Sequence, residues 1–296
     1  MRVLVTGAAG FIGAEVVRAL LENGHAVVAV DQKLTGAPRL AGLSGHISRH
    51  EVDLGDSAAV RRLLEPGAPD AVIHLAWYAN PRDYLTAPEN LASLQMTVQF
   101  ADAVLRAGCP RFVGAGTGVE YANAAVPRVE GDAEGASSLY AACKLGAGHV
   151  VRALGDAAGA TVGWGRVFHL HGPRESPERL VPWVAAQLRA GVAVELTDGS
   201  QIRDHLHVGD VARAFVALAE TGAPGVTNIC SGEPVSLRAV LETVGRLAGR
   251  PELLHFGARP QRAGEVMFLA GDNSRLRALG WRPRFNLEAG LRDALG

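Results

Sequence analysis

Residues 6–13 read Thr-Gly-Ala-Ala-Gly-Phe-Ile-Gly, and this stretch decides the fold of the chain. Just before it lies Val3-Leu4-Val5, a continuous apolar run typical of a strand buried on both faces of a parallel sheet. After it, apolar side chains recur at helical spacing as far as Leu21. A strand, a glycine turn and a helix in this order predict a binding site for the diphosphate of a dinucleotide.

Each glycine of the turn has a predicted role. Gly7 makes the tight turn, Gly10 lets the backbone approach a pyrophosphate, and Gly13 lets the helix pack closely on the strand. Unpaired N–H groups at the start of the helix, where Phe11 and Ile12 lie, are expected to face the phosphates. The spacing Gly-x-x-Gly-x-x-Gly differs from the more familiar Gly-x-Gly-x-x-Gly, so the motif alone is a weak signal.

A carboxylate at the end of the second predicted strand strengthens the signal. That strand covers residues 26–30, and Asp31 follows it, 18 positions after Gly13. A carboxylate there accepts hydrogen bonds from both hydroxyls of the adenosine ribose and repels the 2′-phosphate of NADP. The predicted cofactor is therefore NAD. Lys33 lies close enough in the sequence to weaken this preference for NAD, so NADP is not excluded. The alternative for Asp31 is that it only starts a turn.

The composition agrees with a soluble enzyme. The 296 residues are 48% hydrophobic, enough for one large core or two unequal lobes, and the net charge of −1 gives no reason to expect nucleic acid or an anionic membrane as a partner. The three cysteines lack metal-ligand spacing, so we expect reduced thiols and no metal site. We find no signal peptide and no apolar run long enough to span a bilayer, which predicts a cytoplasmic location.

Strand-like runs alternate with helical patterns up to about Gly165, which predicts an α/β fold with a Rossmann-type doubly wound parallel sheet. After His169 the pattern becomes irregular and richer in Pro and Gly, which we interpret as a smaller C-terminal substrate-binding lobe. The predicted dinucleotide-binding domain is 1–168, and the chain returns to it at about 204–232. The lobe takes 169–203 and 233–296.

Two further motifs follow the glycine turn in a fixed order. They are Tyr140-x-x-x-Lys144 and, later, Arg203-Asp204-His205-Leu206-His207-Val208. Together the three motifs resemble the extended short-chain dehydrogenase/reductase family, of the NAD-dependent epimerase/dehydratase type, and the match runs from Met1 to about Leu291. Members of that family mostly act on nucleotide-diphosphate sugars as epimerases, dehydratases or ketoreductases.

Tyr140 and Lys144 would share one face of a helix, because they are four positions apart. A phenol has an ordinary pKa of about 10. An adjacent ammonium and a positive nicotinamide ring would lower that pKa by stabilising the phenolate. We therefore expect Tyr140 to move the proton of a sugar hydroxyl as hydride passes to or from the cofactor, and Lys144 to bond the nicotinamide ribose. The alternative for this common pattern is a solvated helix face.

The resemblance implies a third catalytic residue, a Ser or Thr shortly after a central strand. Thr117 has that position, and its hydroxyl would donate to the reacting oxygen; a turn-capping role is its alternative. Nucleotide-sugar 4,6-dehydratases carry an Asp-Glu pair immediately after this residue, whereas this chain has Gly118 and Val119. Neither side chain can move a proton, so 4,6-dehydration is not expected. Glu120 would point to the opposite face of an extended stretch, and we do not assign it the missing role.

Other positions follow the family pattern by resemblance alone. The resemblance places Asp53 and Leu54 at the adenine, Leu75 and Ala76 at the strand end lining the cofactor, and Val167 beside the nicotinamide. His169 stands where relatives have a substrate-contacting Asn, so we hold it only as a substrate-pocket residue. Asn90 matches a family Asn near the active-site Tyr, with bonding to neighbouring backbone as its alternative.

Two arginines have the positions of a clamp for the substrate diphosphate. They are Arg203 and Arg262, and a guanidinium bonds phosphate in bidentate fashion without ever losing its charge. Either could instead pair with Asp204 or Glu265, because surface ion pairs are frequent.

The reaction itself is left open by the sequence. The main prediction is a 4-ketoreductase of a 4-keto-6-deoxy sugar nucleotide, favoured by the compact length of the chain. An NAD-dependent nucleotide-sugar 4-epimerase is the alternative and ranks nearly equal, since it needs the same Thr117, Tyr140 and Lys144 and is favoured by Asp31. A non-catalytic NAD(P)-binding sensor and a reductase of a non-nucleotide carbonyl, such as a polyketide or flavonoid, are the further alternatives. The long helices predicted over 90–105 and 139–154 are where family members pair, which by analogy predicts a homodimer.

Overall fold

The computed structural model describes residues 1–262 and 264–296. The helices are α1 (Phe11–Glu22), α2 (Ser57–Leu64), α3 (Glu89–Arg106), α4 (Leu139–Ala158), α5 (Leu180–Arg189), α6 (Val208–Thr221), α7 (Leu237–Ala248), α8 (Ser274–Ala278) and α9 (Leu287–Leu295). The strands are β1 (Arg2–Thr6), β2 (Ala26–Asp31), β3 (Ile47–Glu51), β4 (Ala71–His74), β5 (Arg111–Thr117), β6 (Thr161–Val167), β7 (His169–His171), β8 (Val194–Leu196), β9 (Ile202–His207), β10 (Gly225–Ile229), β11 (Pro234–Ser236), β12 (Leu254–Phe256) and β13 (Phe268–Leu269).

Seven parallel strands form the large sheet, in the order β10-β6-β5-β4-β1-β2-β3. This confirms the predicted α/β fold with a doubly wound sheet. The order runs outward in both directions from β1 and β4, and in such sheets ligands bind in the crevice where the order reverses. The carboxyl ends of β1 and β4 lie at that crevice.

Both faces of the large sheet are covered, which explains the uninterrupted apolar run in β1. Val3 and Val5 face a core that includes Val16 and Leu20 of α1 and Phe215 of α6. Leu4, on the opposite face, belongs to a second core built with residues of α2, α3 and α4. Alternate residues of β1 therefore enter two different cores, and neither face is left polar.

The stretch after His169 is more regular than its Pro and Gly content suggested. β7, β9, β11 and β13 form a second, four-stranded sheet, and β8 pairs with β12. A separate core joins residues of α5, α7 and α9, among them Val184, Leu188, Leu241 and Leu291. α6 packs against the large sheet, and β10 forms an edge strand of that sheet. The division of the chain into two domains at 168, 203 and 232 stays a prediction.

Over the described ranges no helix is both long and apolar enough to cross a membrane, and no group of three or more His, Cys, Asp and Glu is arranged to hold a metal ion. The three cysteines, Cys109, Cys143 and Cys230, are buried thiols.

Candidate functional site

The glycine turn packs against the end of β4. Gly7 has a φ of +66°, a left-handed conformation that favours glycine. A Cβ on Gly7 would lie 2.9 Å from the backbone nitrogen of Ala76, and one on Gly13 would collide with the carbonyl oxygen of Gly7. The structure therefore brings the turn, the start of α1 and the Leu75-Ala76 segment together, and neither Gly7 nor Gly13 has room for a side chain.

The N-terminus of α1 is open to a ligand. The helix begins at Phe11, and its N-cap residue is Gly10, so no side chain caps the first N–H groups. These unpaired N–H groups and the helix dipole together favour an anion at this point.

Asp31 lies at the end of β2, where it meets the glycine turn. One oxygen of its carboxylate accepts from the Ala9 N–H at 2.9 Å and the other from the Gln32 N–H at 2.8 Å. Asp53 is exposed two residues after β3, and the neighbouring Leu54 is buried under α2. The predicted cofactor-binding residues thus follow β1, β2, β3 and β4 along one edge of the large sheet.

Tyr140 lies in the first turn of α4, next to the end of β5. The N-cap of this helix is Ser138, whose hydroxyl oxygen accepts from the Ala141 N–H at 3.2 Å. Thr117, which ends β5, is near enough to the Tyr140 phenol for its side chain to act on the pKa of that phenol. Tyr84 packs edge-on against the Tyr140 ring, with their centroids 5.0 Å apart. The fold therefore brings Thr117 and Tyr140, 23 positions apart in the chain, close together.

Lys144 is buried one helical turn further along α4. Its ammonium donates to the carbonyl oxygen of Ala115 at 2.9 Å and lies 3.9 Å from the centroid of the Trp77 ring. The Trp77 indole N–H in turn donates to Asn90 Oδ1 at 2.9 Å. Asn90 is fully buried, and its amide nitrogen donates to the carbonyl oxygens of Tyr84 and Ala87 at 2.7 and 2.8 Å. Asn90 therefore bonds neighbouring backbone, and it also positions the aromatic ring beneath Lys144.

Burial is the largest cause of the pKa shifts of Tyr140 and Lys144. It raises the pKa of Tyr140, with Tyr84 and Glu120 adding to the effect, while the side chain of Thr117 opposes it. Burial also lowers the pKa of Lys144 to about 7, against the attraction of Glu120. The sequence predicted a lowered pKa for Tyr140, and for the protein alone this is wrong, because the prediction weighed the neighbouring ammonium and not the loss of water.

Glu120 is fully buried, and both oxygens of its carboxylate accept hydrogen bonds. Its carboxylate accepts from the Thr117 N–H at 2.8 Å and from Arg166 Nε at 2.7 Å. Arg166 also bonds Glu134 at 2.6 Å, so a buried guanidinium joins the two carboxylates. Glu120 is therefore committed to holding the end of β5, which agrees with leaving it out of the catalytic set.

Residues 118 and 119 offer no proton-transferring group. A Cβ on Gly118 would lie 2.8 Å from the ring of Phe168, so this position has no room for a carboxylate side chain. Val119 is half-buried beside Thr117. The two positions after Thr117 therefore carry no acid–base pair.

Comparison with known proteins identifies the family. A model of the NAD dependent epimerase/dehydratase family matches residues 3–230. The chain belongs to this family.

Both 4-epimerases and 4,6-dehydratases are among the similar proteins. The chain is 32% identical to a UDP-glucose 4-epimerase of Mycolicibacterium smegmatis, over 98% of this chain and 96% of that protein. It is 29% identical to a dTDP-glucose 4,6-dehydratase of Salmonella typhimurium, over 100% and 92%. The solved structure of a Thermus thermophilus UDP-glucose 4-epimerase in complex with NAD superimposes with a TM-score of 0.86 at 29% identity, covering 100% of this chain and 98% of that one.

The two arginines that this family member was expected to use as a diphosphate clamp lie in different environments. Arg203, in β9, donates to the carbonyl oxygens of Ile202 and Val266 at 2.9 and 2.6 Å and lies 3.8 Å from Glu265. Arg262 is on an exposed stretch of chain. The alternative of an internal partner is thus present for Arg203, although Asp204 is not that partner, since it accepts from Ser231 and Gly232.

His169 belongs to a feature that sequence reasoning missed. β7 and β9 are parallel neighbours, and their register pairs His169 with His205 and His171 with His207. Because the side chains two positions apart share one face, the four imidazoles form one row, which we call the histidine ladder, with ring centroids 5.5 to 6.2 Å apart. Five of its ring nitrogens are buried without a partner, and His207 contacts Asp293 of α9 at 3.1 Å. The pattern His-x-His, which occurs in both strands, was the sequence signal from which this row of histidines could have been predicted.

Arg179 is a second residue that the sequence did not indicate. It is half-buried just before α5, and its guanidinium lies 5.0 Å from the centroid of the Tyr84 ring, which itself packs on Tyr140. Its charge acts to lower the pKa of Tyr140.

Proposed function

We propose that the protein is an NAD-dependent nucleotide-sugar 4-epimerase. The observation that supports this proposal is that the fold brings Thr117 close to Tyr140, one helical turn from Lys144, while Gly118 and Val119 carry no acid–base side chain. These residues can move one proton at a single carbon, and positions 118 and 119 supply no acid–base pair for eliminating water from the neighbouring carbons. The similarity to UDP-glucose 4-epimerases over nearly the whole chain supports the same reaction.

The residues at the edge of the large sheet fit NAD. The turn and the start of α1 would hold its diphosphate, through Gly7, Gly10, Phe11, Ile12 and Gly13. Asp31 would accept from the adenosine ribose and Asp53 and Leu54 would lie at the adenine, while Leu75, Ala76 and Val167 would line the nicotinamide half. When bound, NAD accepts a hydride from C4 of the sugar and returns it.

The chain's own residues would handle the proton. Tyr140 takes the proton of the 4-hydroxyl as the C4–H bond breaks, and Thr117 donates to the same oxygen, stabilising the charge that develops there. Lys144 bonds the nicotinamide ribose, and its ammonium favours the phenolate of Tyr140. After the 4-keto sugar presents its other face, Tyr140 returns the proton, so the cycle consumes neither protons nor cofactor.

The substrate in this proposal is a nucleotide-diphosphate sugar. Arg203 and Arg262 would bond the two phosphates, and His169 would lie in the sugar pocket. Support comes from solved relatives, one of which is a Thermotoga maritima UDP-glucose 4-epimerase with UDP-glucose, with a TM-score of 0.87 at 26% identity. We also propose a homodimer formed by α3 and α4, because both helices expose apolar side chains, Leu91 at 55% and Val150 at 41%.

A panel of nucleotide sugars tests the reaction. Purified protein is incubated with UDP-, dTDP-, CDP- and GDP-sugars, including 4-keto-6-deoxy forms, while nicotinamide absorbance is followed and products are identified by NMR. We expect inversion at C4 without net change in the cofactor. Reduced cofactor consumed one-for-one with a 4-keto sugar would instead establish the 4-ketoreductase, which uses the same three residues.

A further inference from the structure

Residues 172–179 connect β7 to α5, and one residue of this segment has a strained backbone. Arg174 has a φ of +65°, a left-handed conformation that residues other than glycine seldom adopt. Such a conformation persists only where the surrounding structure holds it in place. The contacts between segment 172–179 and the rest of the chain therefore fix its position.

One end of segment 172–179 is attached beside the glycine turn. The guanidinium of Arg174 pairs with the carboxylate of Glu15 in α1. The carbonyl oxygen of Arg174 accepts from Arg39 Nε at 3.1 Å and from Arg39 Nη2 at 2.8 Å. The remaining nitrogen, Arg39 Nη1, lies 3.5 Å from the carbonyl oxygen of Ala9. Arg39 therefore joins the segment to the turn at which the diphosphate of NAD would bind.

The other end of the segment is attached beside the reacting hydroxyls. Glu178 accepts from Arg82 Nε at 3.0 Å, and Arg82 lies in the loop between β4 and α3. One residue further along, the guanidinium of Arg179 lies 5.0 Å from the centroid of the Tyr84 ring, which packs on Tyr140. The side chains that hold this end therefore come from the loop next to Tyr140.

A bound NAD would extend between these two attachments. Its diphosphate would lie at the glycine turn, and hydride transfer requires its nicotinamide beside Tyr140. Segment 172–179 is held at both places and would therefore run alongside the nicotinamide half of the cofactor. Between the attachments lies Glu175, whose Oε2 is buried and has no hydrogen-bond partner among the residues that the structure describes. A hydroxyl group of a ligand would satisfy this acceptor.

We propose that segment 172–179 is a strap that closes over bound NAD and slows its release. The inference rests on the NAD site proposed above. Glu15 and Arg39 hold one end of the strap, and Arg82 holds the other. NAD leaves only after the strap has moved away, which breaks both attachments. The side chains of both ion pairs are partly exposed, and such a pair changes an opening equilibrium by up to about fivefold.

Exchange of radiolabelled NAD against an excess of unlabelled NAD measures the release rate. Glu15→Gln and Glu178→Gln each remove one ion pair, and each is expected to raise the release rate by about two- to fivefold. The double variant should release NAD about tenfold faster than the parent protein, because the two attachments are separate. Glu22→Gln makes the same change at an exposed position of α1 and should leave the rate unchanged.

The sign of the change separates the strap from a direct effect of charge. NAD carries two negative phosphates, so removing a carboxylate near the glycine turn would by itself hold NAD more tightly and slow its release. The strap requires faster release instead. Arg82→Glu combined with Glu178→Arg forms the pair again with its charges exchanged, and should restore the release rate of the parent protein.

Limited trypsin cleavage reports the position of the strap independently. We expect bound NAD to slow cleavage after Arg179, as followed by mass spectrometry, and to protect this bond less in the double variant. A release rate that stays the same or falls in both Gln variants would overturn the strap, as would cleavage after Arg179 that is equally fast with and without NAD.

Neither the exchange nor the cleavage measurement needs a sugar, so the strap can fail while inversion at C4 is still observed. Failure to invert any sugar, with NAD exchange and cleavage as expected, would overturn the 4-epimerase and leave the strap standing. A parent protein that binds no labelled NAD would overturn both.

Discussion

Tyr84 and the end of β5 shield the Tyr140 phenol from water on two sides. In the protein alone this burial raises the pKa of Tyr140, so the phenol stays protonated. Lys144 is also buried, and its pKa is lowered to about 7. A larger fraction of this lysine is therefore neutral near pH 7 than of an exposed lysine, and it stabilises the phenolate less. The positive charge of oxidised nicotinamide would act on Tyr140 in the opposite direction to burial. Proton removal from the 4-hydroxyl is therefore expected to require the bound oxidised cofactor.

Tyr140→Phe is expected to lower kcat for C4 inversion by about 10²- to 10⁴-fold, the usual contribution of a general acid–base. NAD affinity should fall far less, since the glycine turn and Asp31 remain. Steady-state NMR assays and calorimetry measure the two effects. Tyr78→Phe removes a hydroxyl that donates to Asp83, outside the Thr117 pair, and serves as the control. Full turnover in Tyr140→Phe would contradict the assigned role, and a sensor would show no turnover in the parent protein either.

The placement of Tyr140 and Lys144 one helical turn apart was predictable at the residue scale, because both residues lie in one local motif. Glu120 and Arg166 were not, because they are 46 positions apart and meet only when β5 and β6 pair. The predicted direction of the Tyr140 pKa shift was wrong for a related reason. Burial is a property of the assembled fold, and a motif does not record it.

Individual elements were predicted well where the apolar pattern was strong. The helices predicted over 90–105 and 139–154 are α3 and α4, which start within one residue of the predicted starts but run on to Arg106 and Ala158. The short strands β7 and β9 were missed, because alternating histidines carry no apolar signal. Their pairing needs a long-range contact that the sequence does not encode locally.

The histidine ladder makes stability depend on pH. Burial lowers the pKa of His169, His171 and His205 to about 3, from an ordinary 6.5. The unfolded chain therefore binds more protons than the folded one between about pH 6.5 and 3, so the free energy of unfolding falls as the pH drops through this window. The full contribution is present above pH 6.5. Three such groups remove up to about 4 kcal/mol per pH unit.

Urea unfolding at pH 7.5, 6.0 and 5.0 measures this loss. His171→Leu should reduce the pH slope by about one quarter, since it removes one of four buried imidazoles whose pKa burial lowers to about 3, the fourth being His74 in β4. His46→Leu changes an exposed histidine and should leave the slope as it is. A free energy of unfolding that stays constant from pH 7.5 to 5.0 would show that the ladder is hydrated or opens without cost.

On the scale of the whole molecule, α3 and α4 lie side by side on one face of the large sheet and leave an apolar outer surface. Besides Leu91 and Val150, this surface exposes Ala92, Ala142 and Ala153. A two-fold axis through it would place four helices in contact and bury each of these side chains twice. Because α4 also carries Tyr140 and Lys144, the dimer would stiffen the catalytic helix from behind.

Val150→Glu is expected to convert the dimer to a monomer, since the two-fold axis brings two buried carboxylates into the interface without partners. Light scattering coupled to size-exclusion chromatography at micromolar concentration gives the mass directly. Val192→Glu places the same charge on an exposed residue after α5, away from α3 and α4, and should keep the dimer. A parent protein that is already monomeric would contradict the proposed interface. A dimer that survives Val150→Glu would move the interface away from α4.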